Sequence, residues 1–204
     1  MYKAYFKNTE IYFKNSSYKF IQKLTKEIEK ECKGSYYRRK MIFLYPIDGE
    51  IYLCLTQGAY LLAFMIDLED KIKEEIFNLH KNENLNQINI LSSENCIIFE
   101  FDEDERAPYL ENVIPTNFDK EIELTNITYK EKDHVFSTNI YKIFKEFNAC
   151  YDIYYLKLIF ETVNKIYGKD DLIIKRKNEK YSPLYFELPE KEFFALLMPI
   201  DTTD

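Results

Sequence analysis

Apolar positions in the first part of the chain follow a helical period. Phe20, Ile21, Leu24 and Ile28 come after Ser16-Ser17, a pair suited to capping a helix N-terminus, and predict an amphipathic helix over residues 17–32 that Gly34 ends. The period then shortens to that of strands. Met41 to Tyr45 and Ile51 to Leu55 flank the turn signal Pro46-Ile47-Asp48-Gly49 and predict a hairpin, with Tyr60 to Ile66 as a third strand after Gln57-Gly58. From Leu68 to about His80 the helical period returns. There Ile72, Ile76 and Leu79 share one face, and acidic residues occupy the first turn, where the macrodipole favours them. Ile88 to Leu91 and Cys96 to Phe101 read as strands around Ser92-Ser93-Glu94-Asn95.

The pattern resumes beyond Pro115. A strand is expected near Glu121 to Tyr129, a short helix over Thr138 to Phe147 and a longer one over Ile153 to Tyr167. Three strands then close the chain: Leu172 to Arg176, Leu184 to Leu188 and Phe193 to Met198. A helix followed by short strands thus recurs without sequence identity between the units. This predicts an α+β fold assembled from repeated helix-plus-antiparallel-strand units. The domain boundary is expected near residues 115–120, dividing the chain into 1–117 and 118–204.

At 204 residues either arrangement can bury a core, and 46% hydrophobic with 17% aromatic residues excludes a disordered chain. Eighteen Tyr and sixteen Phe without one Trp, beside abundant Ile, Lys and Asn, fit an AT-rich coding genome: a low-GC bacterium, its phage or a mobile element. The net charge of −7 opposes nucleic-acid binding unless cations are segregated on one surface. No stretch approaches the roughly 20 apolar residues of a membrane span and no leader pattern is present, so a soluble cytoplasmic protein is expected. Cys32, Cys54, Cys96 and Cys150 are too widely spaced for a C-x-x-C motif and are read as free thiols packed in the core. With only His80 and His134 available, no metal site and no cofactor are expected.

No catalytic constellation stands out. G-x-S-x-G and H-E-x-x-H are absent, and four glycines leave little for a phosphate cradle. Asp102-Glu103-Asp104-Glu105 could meet a divalent cation, but is read as a solvated turn. A non-enzymatic protein follows.

Three segments carry a family likeness. Thr56-Gln57-Gly58-Ala59-Tyr60-Leu61-Leu62-Ala63, Arg106-Ala107-Pro108-Tyr109-Leu110-Glu111-Asn112-Val113-Ile114-Pro115 and the close in Phe193-Phe194-Ala195-Leu196-Leu197-Met198-Pro199-Ile200 occur in this order. They resemble the T-D-G-H-R-L-A strand, the R-F-P-D-Y-R-R-V-I-P linker and the C-terminal strand of the bacterial DNA polymerase III β subunit, the sliding clamp. The resemblance implies a DNA-clamp-like fold, a ring of domains around duplex DNA, and an interdomain pocket for a short peptide of a DNA polymerase or other replication protein. Pocket positions carried over are Thr56, Gly58, Ala59, Tyr60, Leu61, Pro115, Ser182, Leu196, Met198, Pro199 and Ile200. Ala59-Tyr60 replaces the family's His-Arg, and Asp201 stands where a basic residue often follows Met-Pro. The same residues would also serve as ordinary core and edge positions of a sheet.

Lys19, Lys23, Lys26, Lys30 and Lys33 are spaced four, three, four and three apart. At about 100° per residue they fall within a stripe about 80° wide, opposite Phe20, Leu24 and Ile28. A ring wall would use such a stripe for sequence-independent phosphate contact, and a solvated helix face interleaved with Glu27, Glu29 and Glu31 would show it too. Lys142 and Lys145, and Lys157 with Lys165, repeat the feature less clearly. The resemblance implies a processivity factor that forms a homo-oligomer. The competing reading is a clamp-fold interaction protein or decoy that acts on the replisome without encircling DNA.

Overall fold

Asp48 and Gly49, with φ of 51° and 88°, close a two-residue hairpin turn between β3 (Met41–Ile47) and β4 (Glu50–Thr56). Positive φ at both central residues matches the right-handed twist of the flanking strands, so the turn is tighter than the expected four residues and Pro46 belongs to β3, opposite Ile51. The structure is a computed structural model that describes residues 2–6, 9–13, 22–24, 26, 41–66, 68, 70–82, 85–92, 96–190 and 192–200. It divides into two compact units, Met1–Gly58 with Ala63–Pro108, and Ala59–Leu62 with Tyr109–Asp204.

In the first unit, β1 (Tyr2–Phe6) and β2 (Thr9–Phe13) pair antiparallel, and β1 runs parallel to β7 (Cys96–Arg106). Neither N-terminal strand is signalled by local pattern. What defines β1 is its pairing with a segment about ninety residues away, Lys3 opposite Cys96. β6 (Asn86–Ser92) follows β7, and then come β3 and β4; of β5 (Tyr60–Ile66), residues 63–66 belong to this unit. Residues 42–46 and 51–57 are buried without interruption, which requires cover on both faces of these strands because successive side chains point opposite ways. α1 (Asp70–Lys81) supplies part of that cover through Ile72 and Ile76, and His80 meets the Tyr45 ring edge-on at 4.7 Å.

The acidic run Asp102–Glu105 is strand, not turn. Pairing with β6 continues to Asn86 opposite Arg106, where Arg106 Nη1 donates to Asn86 Oδ1 at 3.0 Å. Most of the helix expected over 17–32 lies outside the described residues; residues 22–24 and 26 are helical, and Leu24 is fully buried.

In the second unit, β8 (Lys120–Leu124), β9 (Leu172–Arg176), β10 (Leu184–Glu187) and β11 (Phe193–Leu197) form an antiparallel series, with β9 between β8 and β10. β8 stops five residues before the expected end, and Asn126 has left-handed φ of 56°. Two helices join β8 to β9: α2 (His134–Phe147) and α3 (Ile153–Thr162), which continues as a π turn over Val163–Tyr167. α2 starts four residues earlier than the apolar period suggests because Asp133 Oδ1 accepts the Val135 N–H at 3.0 Å, satisfying an orphan donor of the first turn. Gly168, with φ of 63°, ends the π turn.

Leu172, Ile174 and Arg176 of β9 face the same way as Leu184 and Phe186 of β10, all buried. Phe136 and Phe160 meet edge to face at 6.1 Å between α2 and α3. Burying one such Phe contributes about 2–3 kcal/mol. The architecture is α+β; among the described pairings β1–β7 is parallel and the others are antiparallel.

Candidate peptide-binding site

Gly58, at φ 97°, turns the chain at the end of β4, and its N–H is accepted by Thr56 Oγ1 at 3.1 Å. A side chain would be strained there, so this glycine has a conformational reason. The following residues, Ala59–Leu62, belong to the second unit. Within that unit, Met198 N–H donates to the Ala59 carbonyl at 3.0 Å and Ile200 N–H to the Cys150 carbonyl at 2.9 Å. The terminal segment is thereby held as an extension of β11, with Met198 and Ile200 exposed to 37% and 49%.

The other predicted residues divide. Tyr60, Leu61 and Leu196 are buried, and Tyr60 packs its ring on Tyr155 at 4.7 Å, so these three serve the core and present little surface. Ser182 is buried as well, its carbonyl accepting from Arg176. Pro115 stands half-buried after a turn in which Val113 and Ile114 donate to the Leu110 carbonyl. Thr56 and Gly58 fall in the first unit.

Beside the terminal segment, the second unit contains a cavity of about 470 Å³, a size that suits one or two side chains. Pro199 and Ile200 line it, and they are the only predicted pocket residues that do. The rest of its wall, including Lys120, Phe147, Cys150, Arg176 and Tyr181, escaped sequence reading. Arg176 offered one faint signal, a cation at an inward position of an alternating strand. Arg176 is 7% exposed, and its guanidinium donates to the carbonyls of Ser182, Phe147, Glu179 and Lys180 at 2.9–3.2 Å. Lys120 Nζ donates to the Glu146 carbonyl at 2.7 Å. The two cations meet the last carbonyls of α2, where Asn148 at φ 47° forms the left-handed cap.

Tyr151 is buried nearby, and its hydroxyl makes no hydrogen bond of normal geometry. Burial pushes its pKa up to about 12, against a smaller lowering by Arg176.

Cys54 is buried and its thiol is pushed well above the ordinary range by desolvation. Cys150 is exposed, contrary to a core-packed reading, because residues 148–150 lie between α2 and α3 at the rim of the cavity. Cys32, and the side chain of Cys96, lie outside what is described. Among the described residues no group of three or more His, Cys, Asp or Glu could hold a metal ion, and no helix is long and apolar enough to cross a membrane.

Lys23 and Lys26 of the predicted basic stripe are exposed and helical, while Lys19, Lys30 and Lys33 lie outside the described residues. The lysines of α2 and α3 make local partners. Lys142 donates to the Glu123 carbonyl, Lys157 pairs with Glu131, and Lys165 in the π turn pairs with Glu161.

No family model and no curated protein matches the sequence. Among solved structures, the DNA polymerase III β chain of Streptococcus pneumoniae superposes with a TM-score of 0.49 at 12% identity, covering 87% of this chain and 63% of that one. This chain is similar to bacterial β subunits. The Borrelia burgdorferi subunit, solved in complex with a natural product, gives 0.47 at 13% identity over 84% and 58%. The Thermotoga maritima subunit gives 0.48 at 12% over 80% and 57%. The chain thus spans less than two thirds of the length of each of these proteins.

Proposed function

We propose that this protein is a sliding-clamp-like accessory factor of DNA replication that docks a short apolar peptide of a polymerase or other replication protein. The observation that carries the reading is the seating of Met198-Pro199-Ile200 between the Ala59 and Cys150 carbonyls, with Met198 and Ile200 exposed beside a cavity. Segments 139 residues apart, at Ala59 and Met198, that resemble two borders of one family pocket are hydrogen-bonded neighbours here. Exposed Met and Ile in a fixed backbone offer anchors for a few buried side chains of a partner, the usual source of affinity in groove recognition. Clamp activity further requires tethering to duplex DNA in a sequence-independent manner, which this reading assigns to Lys19, Lys23, Lys26, Lys30 and Lys33, and a homo-oligomer closed by head-to-tail contacts.

The test is panning of the full chain against a displayed library of random dodecapeptides. Peptides with paired apolar anchors should be enriched on the native chain and lost on Ile200→Glu, a surface change that leaves the core intact. No enrichment on the native chain, or the same peptides on both proteins, would overturn the docking role.

A further inference from the structure

The wall of the cavity collects positive charge in a chain whose net charge is −7. Lys120, Arg176 and Lys180 line it against a single carboxylate residue, Glu179. Elsewhere in the same unit four lysines pair with carboxylates, Lys157 with Glu131, Lys165 with Glu161, Lys169 with Glu190 and Lys175 with Glu187, and Lys142 donates to the Glu123 carbonyl. Lys120 and Arg176 also donate to neutral carbonyls, and they do so side by side in the wall of one cavity. The α2 C-terminus they meet offsets about half an elementary charge, which leaves most of two positive charges at one wall without a counter-charge. Burial of Arg176 makes that imbalance count, because a cation withdrawn from water is screened less than one on the surface.

We infer that the cavity takes a carboxylate side chain of the docked peptide, an Asp or Glu adjacent to the apolar residue that rests on Ile200. This rests on the docking role proposed above and adds the ligand's charge to it. An acidic residue fits because the cations occupy the same cavity as Phe147, Pro199 and Ile200, so a ligand must satisfy a charge and an apolar surface within one or two residues. A nucleic-acid backbone supplies the charge but no aliphatic or aromatic side chain to cover Ile200, which is 49% exposed. Arg176 holds the 179–182 loop and the end of α2 through its four carbonyls and acts as the fixed part of the site; Lys120 is the adjustable part, with a single carbonyl to release.

The peptides recovered on the native full chain should carry Asp or Glu next to an apolar anchor. Panning on Lys120→Met, a half-buried strand position that tolerates an apolar stem, should retain the anchors and lose the acidic preference. Replacing the acidic residue of a selected peptide by Asn or Gln should weaken binding about tenfold to the native chain and leave binding to Lys120→Met unchanged. Anchored peptides without acidic enrichment would overturn the inference while the docking role stands. Enrichment that persists on Lys120→Met, or displacement of the acidic peptide by an equimolar 20-base-pair duplex, would also overturn it. Failure to recover any peptide would overturn both.

Discussion

At the residue scale, Tyr151 shows what a polar group without a partner does to a core. Its hydroxyl is buried without a hydrogen bond of normal geometry, and burial, its largest influence, pushes the pKa up to about 12 against a smaller lowering by the Arg176 guanidinium. The folded state therefore holds the phenol proton more tightly than the unfolded chain, where Tyr titrates near pH 10. This contribution to stability is complete below pH 10 and is lost as pH rises toward 12. Tyr151→Phe should change urea stability at pH 8 by no more than about 1 kcal/mol, since an unbonded hydroxyl is removed, and should lose less stability than the native chain between pH 10 and 12. Paired urea titrations check the difference, and equal losses would contradict it. The thiols separate in the same way: Cys150→Ser should remove one group that reacts with a thiol reagent in the native protein, whereas Cys54→Ser should remove none, because a buried protonated thiol is inert.

At the element scale, short-range signals and their limits are both visible. The hairpin of β3 and β4 follows from two continuous apolar runs around Asp48-Gly49, and the three closing strands lie within a residue of their expected ends. Helix starts were less legible. α2 begins at a cap, Asp133, that precedes polar residues with no apolar rhythm, whereas α3 begins where its apolar run begins because Asp152 caps it, Oδ1 accepting the Tyr154 N–H at 2.9 Å. Asp152→Ala and Asp133→Ala should each cost about 1 kcal/mol of unfolding free energy, read from the urea midpoint, while Asp170→Ala, outside any helix, should stay within about 0.5 kcal/mol. Equal effects at all three positions would show that capping is not the cause.

At the scale of the whole molecule, the DNA-tethering part of the proposed function makes its own prediction. The protein should have a defined oligomeric mass by light scattering, stay on nicked circular DNA and be lost when the circle is linearised. A monomer indifferent to both DNAs would remove that part and leave peptide docking. The sequence by itself determined most element types beyond residue 41, the hairpin turn, the α+β class and the apolar terminal segment, because each depends on periodicity or backbone preference within some ten residues. Only the tertiary structure decided that β1 pairs with β7, that Tyr60, Leu61 and Leu196 are core, and that Lys120 and Arg176 meet the end of α2 beside Ile200. Those outcomes depend on which distant segments share a surface, and no local period encodes that; a buried cation is legible only when the carbonyls that surround it have been brought together by the fold.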